Sequence, residues 1–399
     1  MTGPASDLTG LVFPGPPGQG IDHLQALWAR DRARRAAEML EGADEPCAVE
    51  VARALKACPE PARLRVFGHP LASLDTGVTA PDGVKDPRSL AERRAALARH
   101  LIGAPDIEDL TLVFTGGDLA ADLMLPHLRI VLHAPGARVI ALRQSGGRVG
   151  LMRDDGVSAT FGTGIPAPPG TGNALFHAAP RIGGFDVLNA DPAVRAALAP
   201  FGLAEGEVLH AAMARIAAGL ALMAQVWPAA AETLARHVRG LVLLAPRGYE
   251  RSHSPQSLCG TIMMTAGAPE TVGDLLCHES SHVRMHWAKA VDPLVVATDP
   301  AAEAAGFDSP WRSDKRPLDG LLLGVHAFLN VCAWYDRLAA RGGASARFAR
   351  GVLARQAANT RQGWRVLSDN GTATPAGAGL MEDLRQAVEA LPKETAHHA

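Results

Sequence analysis

The period of the apolar positions changes along this chain, and each change predicts a different kind of element. From Asp22 to about Glu41, from Cys47 to about Ala57 and from Ser89 to His100, apolar residues recur at helical spacing. Between Asp109 and Phe161 the pattern shortens. LTLVF, LRIVLHA, ARVIALR and GRVGLMR are β-rich runs separated by Gly, Pro and Asp, which predicts a small antiparallel meander. Helical spacing returns from Glu205, broken by two short runs, LVLLAP (Leu241 to Pro246) and GTIMMT (Gly260 to Thr265), that could pair as a sheet. Further helices are expected from about Leu318 to Ala340, from about Ala344 to Trp364, and in a last segment ending near Leu391. The fold class expected is therefore α+β, mostly helical, with residues 1–20 as a flexible Gly- and Pro-rich arm.

Within the second helical region, LLCHESSHVRMHW carries the order HExxH at His278, Glu279 and His282. Helical residues four apart differ by about 40° around the axis and about 6 Å along it. Both imidazoles therefore leave one face and can grip one metal ion, with Glu279 about 100° round from His278. Pro269-Glu270-Thr271 opens this helix, and Val272, Leu275, Leu276 and Val283 give it a buried side. GTIMMT would form the short sheet beneath it.

Two imidazoles leave a divalent ion under-coordinated, so a third protein donor must come from elsewhere. His286 continues the series but lies about 12 Å along the helix from His278, too far for one ion. Glu303 stands 21 positions beyond His282 (303 − 282), a spacing compatible with a downstream glutamate ligand, in weakly helical sequence. His326 is the best candidate, because it sits inside the apolar run RPLDGLLLGVHAFLNVCAWY, where an unpaired imidazole is costly.

Composition narrows the setting. At 47% hydrophobic and 5% aromatic, the chain must pack helix against helix largely through small side chains. A net charge of -2 argues against a nucleic-acid or membrane-surface binder. The segment Val208 to Ala231 is apolar but interrupted by His210, Arg215 and Gln225, as in a buried or amphipathic helix rather than a membrane span. Five scattered cysteines fit free thiols in a reducing cytosol, and no signal-peptide pattern opens the chain, so a cytoplasmic location is expected. Cys277 reads as core, and His69, His127 and His133 as structural. A homo-oligomer is compatible with all of this.

The chemistry depends on the ion. With zinc, Glu279 would act as general base and activate water for peptide hydrolysis. With iron(II), three protein ligands on one face leave open positions for dioxygen and an anionic co-substrate such as 2-oxoglutarate. WRSDKRPLDG supplies Arg312, Lys315 and Arg316 just before the His326 helix, where a guanidinium could clamp a carboxylate bidentately. A peptide-binding partner with a purely structural metal is a third reading, though structural zinc usually has four protein ligands and paired cysteines are missing.

Four blocks give the chain a family resemblance: HSPQSLCGTIMMT (His253 to Thr265), DLLCHESSHVRMHW (Asp274 to Trp287), WRSDKRPLDG (Trp311 to Gly320) and LLGVHAFLNVCAWY (Leu322 to Tyr335). Shorter echoes are RVFGHPLASLD (Arg65 to Asp75) and PRIGGFDVLNADP (Pro180 to Pro192). In these the chain resembles the HExxH-motif iron- and 2-oxoglutarate-dependent peptide β-hydroxylases associated with clusters for ribosomally made, modified peptides. The resemblance implies His278, His282 and His326 as iron ligands and Arg316 as the leading holder of 2-oxoglutarate, with Arg312 beside it. Glu279 would then orient a ligand or water rather than serve as hydrolytic base. A precursor peptide would be the substrate, and it could add to a sheet edge at the strand carrying Thr261 and Met263. On this reading residues 21–200 form a helical plus meander region that could bind peptide, and residues 201–399 the metal-binding catalytic region.

Overall fold

The computed structural model describes residues 11–14, 19–43, 46–58, 66–76, 89–107, 109–115, 123–132, 139–168, 171–173 and 176–392. The fold is mixed α+β. In the N-terminal part, helices Gln19–Leu40, Pro46–Ala57 and Leu90–Leu97 pack on a sheet of strands β1 (Leu110–Thr115), β4 (Val139–Ser145), β5 (Arg148–Arg153) and β6 (Ser158–Gly162), in that order and antiparallel throughout. Alternation sets the two faces: Leu110, Leu112 and Phe114 of β1 and Val149 and Leu151 of β5 point into the core. Ser89 and Glu92 form a reciprocal capping box that starts the Leu90 helix.

The meander is real, but only three of its four runs form it, and β6 supplies the fourth strand. The middle of LRIVLHA, β3 (Ile130–Leu132), leaves that sheet and lies between β2 (Leu123–Leu125) and β7 (Phe176–Ala178). All three β3 residues are apolar and buried, so the strand needs cover on both faces, which a half-exposed meander does not offer. His133 lies outside the described residues.

The third sheet runs β11 (Ser252–His253), β12 (Thr261–Met264), β10 (Gly240–Leu243), β9 (Phe185–Val187), β8 (Arg181–Ile182). LVLLAP and GTIMMT do lie side by side, and they pair in parallel. Two strands within residues 181–187 join this sheet. The helix Pro269–Lys289, the motif helix, follows β12 and packs on it. Helices Gly206–Val226, Pro228–His237 and Leu318–Ala340 (the facing helix) pack on the motif helix, and Ala346–Asn370 and Ala378–Ala390 pack on the facing helix. Gly273 lets the motif helix approach closely, since a Cβ there would fall 2.2 Å from the Trp334 ring. The segment Val208 to Ala231 is two helices, because Pro228 cannot continue the first one beyond Trp227. Gly206–Val226 and Leu318–Ala340 are both long and apolar enough to cross a membrane, but the second is mostly enclosed by the core.

The arm is a further departure. Leu11 and Val12 are only 1% and 3% exposed and join the C-terminal hydrophobic core. Their carbonyls accept hydrogen bonds from two buried side chains of the facing helix, His326 Nε2 to Leu11 (3.0 Å) and Asn330 Nδ2 to Val12 (2.8 Å). Composition missed this because two apolar residues suffice to anchor the segment once a polar pair satisfies its backbone.

Candidate metal centre

The motif helix presents His278 and His282 as its period requires, with their Nε2 atoms 3.0 Å apart. An ion held at about 2.1 Å by two imidazole nitrogens subtending a right angle needs them about 3 Å apart. The same spacing suits a hydrogen bond in which one ring donates and the other accepts. Burial first, then the neighbouring His278, His286, His326 and His253, hold His282 well below the ordinary imidazole pKa. A neutral ring is the form that binds a metal.

Aromatic packing fixes the first of the pair. His278 stands edge-on to Phe328 of the facing helix (4.8 Å between centroids), and Phe328 lies flat on Trp311 (4.7 Å, 5°). Trp311 in turn fills the space left by Gly324 and Gly363, where a Cβ would fall 2.8 and 2.4 Å from its ring. The tryptophan of the WRSDKRPLDG block thus braces the motif histidine through one intervening ring.

Glu279 is 2% exposed, and both its oxygens accept hydrogen bonds from serine hydroxyls, Ser252 Oγ at 2.6 Å and Ser254 Oγ at 2.7 Å. The carboxylate therefore ties the motif helix to the segment around β11. A hydrolytic base needs an oxygen aimed at metal-bound water, and the serine contacts favour a holding role instead.

The remaining candidates separate. His326 is fully buried and neutral, its pKa pushed down to about 3 by burial and then by Arg284, but its Nε2 donates to the Leu11 carbonyl. Among the described residues, no three His, Cys, Asp or Glu side chains come together closely enough to hold an ion. His286 stacks on His282 with centroids 6.3 Å apart and stays outside the pair. Glu303 is accounted for elsewhere: its Oε2 accepts from Leu318 N (3.0 Å) and caps the facing helix. Cys277 is buried core, as expected.

The basic cluster lies on the hairpin Phe307–Ser309 and Arg312–Arg316. Arg312 pairs with Asp314 at 2.8 Å and Lys315 with Asp308 at 2.9 Å, both exposed. Arg316 reaches Asp314 at 3.4 Å and packs beside Gly320, about two turns before His326 on the facing helix. Two carboxylates, Asp308 and Asp314, thus engage all three cations. A different arginine lies near His326. Arg284 is buried between the motif and facing helices, bonds Ser281 Oγ (3.3 Å) and Asn330 Oδ1 (3.2 Å), and leaves Nε and Nη1 without partners among the described residues. Sequence reasoning passed over Arg284 and His253, although both lie inside the resemblance blocks.

The proposed peptide edge needs correction. β12 is flanked on both sides, by β10 and by β11 through Met263 and Met264, and Thr261 and Met263 are completely buried. Four consecutive apolar or small residues suit an inner strand, and the two-residue β11 takes the edge that a peptide would have used. No family model matches the chain, and no curated protein matches it.

Two histidines away from this centre make acid stability predictable. Burial, then His69, pushes His127 down to about 4, and burial, then Arg284, Arg236 and Arg239, pushes His237 down to about 3. Folded values below the unfolded value of 6.5 mean that the unfolded chain takes up protons first as pH falls. The stabilisation is complete above about pH 6.5 and is lost progressively as pH falls through the folded values of about 4 and about 3, by several kcal/mol in all. Urea midpoints across that range test it; a midpoint unchanged from about pH 7 to about pH 4.5 would contradict it.

Proposed function

We propose that the protein is an iron(II)- and 2-oxoglutarate-dependent oxygenase that hydroxylates a side-chain β-carbon of a ribosomally made precursor peptide. The observation that carries this reading is the 3.0 Å convergence of two imidazoles, His278 and His282, beside a glutamate whose two oxygens are already held by Ser252 and Ser254. The four sequence blocks shared with the HExxH peptide hydroxylases support it independently of geometry.

His278 and His282 fit two positions on the ion. His326 is the third donor by resemblance, and its buried neutral ring suits the role once Nε2 gives up the Leu11 carbonyl. Iron(II) with 2-oxoglutarate and dioxygen would supply the oxidising power to hydroxylate an unactivated C–H bond. The chain supplies the rest. Phe328 and Trp311 hold the His278 ring in place and keep water from its edge. Glu279 locks the motif helix to Ser252 and Ser254. Arg284, a buried cation near His326 and bonded to Asn330 one turn further along the facing helix, is a second candidate beside Arg316 to attract a carboxylate of the co-substrate.

The test is anaerobic reconstitution with iron(II), followed by succinate measurement on adding oxygen, 2-oxoglutarate and candidate peptides. Turnover should require iron, oxygen and His326, and Glu279→Gln should retain it to within about tenfold, because the amide can keep the serine contacts. Tight zinc, no succinate, and peptide cleavage abolished by Glu279→Gln would instead establish a zinc metallopeptidase.

A further inference from the structure

A cavity of about 590 Å³ opens where helix Gln19–Leu40, the turns at His69 and Arg129, and the ends of β10 and the motif helix meet. It takes no part in the reading above. Its volume is that of a site for a small organic molecule. Its lining is unusual in charge, with Arg32, Arg129 and Arg239 facing a single carboxylate, Asp186.

Arg32 decides what kind of molecule fits. It is 3% exposed and, among the described residues, has no carboxylate at ion-pair distance. Its terminal nitrogens donate to the carbonyls of Phe67 (2.9 Å) and Cys259 (3.5 Å), its Cζ lies 4.9 Å from the Trp28 ring centre, and its Nε is buried without a partner. Asp31, beside it in the chain, is engaged by Arg34 and Arg35. Burial keeps the Cys259 thiol protonated, so it supplies no negative charge. A buried guanidinium without a counter-ion is costly, and a methionine could fill the same space without that cost.

The other two arginines extend the same field. Arg129 is a non-glycine residue held at φ 51°, and such backbone strain collects at binding sites. Asp186 holds Arg129 Nε at 3.6 Å and Arg181 Nε at 3.2 Å from one carboxylate oxygen, so two guanidiniums share one negative charge. Arg239 is exposed, and it has no ion-pair partner among the described residues. The lining indoles Trp28 and Trp287 add flat apolar walls.

We propose that this cavity is a binding site for a small organic anion, a carboxylate or phosphate joined to a compact apolar part, with Arg32 as its buried anchor and Arg129 and Arg239 as further anion contacts. The entering anion gives Arg32 the counter-charge that the fold withholds. The site is separate from the histidine pair and does not depend on the oxygenase reading.

Isothermal titration calorimetry of the full chain with sodium phosphate and, separately, sodium citrate at constant ionic strength, without iron or 2-oxoglutarate, tests the assignment. Saturable binding tighter than about 1 mM is expected with at least one probe. Arg129→Gln and Arg239→Gln should each weaken it about tenfold or more while keeping the parent circular dichroism. Arg32→Met should abolish it, and the two less buried variants decide the matter if Arg32→Met does not fold. Phosphate alone binding supports a phosphorylated ligand, and citrate alone a carboxylate. No saturable heat with either probe, or affinity unchanged in both Gln variants, overturns the proposal.

Discussion

On the oxygenase proposal, a His282→Ala variant is expected to retain no iron(II) after anaerobic loading and to form succinate roughly 100-fold more slowly than the parent, or worse, while remaining folded. Replacing residues that merely orient a ligand typically costs 10- to 100-fold, about the least to expect from removing the ligand itself. Burial and four neighbouring histidines hold His282 well below the ordinary imidazole pKa, and a neutral ring is the form that binds a metal. Stability should shift by less than about 2 kcal/mol, because its Nδ1 has no partner to lose among the described residues. His286→Ala is the internal control. Its ring stacks on His282 without joining the pair, so that variant should keep its iron. Metal analysis after anaerobic loading, beside thermal melts of both variants, reads the result. Parent-like iron content in His282→Ala would remove the basis for a motif-centred metal site.

The second large effect belongs to stability. Arg99→Met should lower the free energy of unfolding by about 3–5 kcal/mol, because it strands buried carboxylates. Arg99 is fully buried and grips Asp75 through two bonds of 2.6 Å and Asp191 through one of 2.5 Å, with His100 Nε2 on Asp75 at 2.7 Å. Asp191 also caps the helix Pro192–Leu198 through Val194 N. One guanidinium therefore joins the N-terminal helices to the segment that leaves β9. Urea unfolding measures the loss. The double variant Arg99→Met with Asp75→Leu should recover part of it, since it removes one of the stranded charges. A change below about 1 kcal/mol in the single variant would show that water reaches the cluster.

What the sequence revealed was local. The motif helix, the facing helix with its ends at Leu318 and Ala340, and the neighbouring strands β10 and β12 all carry their own apolar period. The missing parts depend on partners far away in the chain. Nothing near Leu11 announces that His326 will bind its carbonyl, 315 positions on. β12 reads as an edge until a two-residue strand, too short to leave a pattern, covers it. Glu303 has a ligand's spacing, yet it is spent on the first turn of the facing helix, a role set by where a loop happens to pass. Arg284 looks like one arginine among many, and its importance comes only from being buried between two helices.

The clasp between Leu11 and His326 also sets a clock on biosynthesis. A ribosome adding about 5–20 residues per second needs on the order of 15–60 s to cover the 315 positions between those two residues. For that time the backbone around Leu11 and Val12 must wait, solvated, with its eventual partners unmade. The enclosure of the histidine helices is therefore among the last things the nascent chain completes, and a ribosome stalled before Asn330 would carry a chain whose beginning has nowhere to dock.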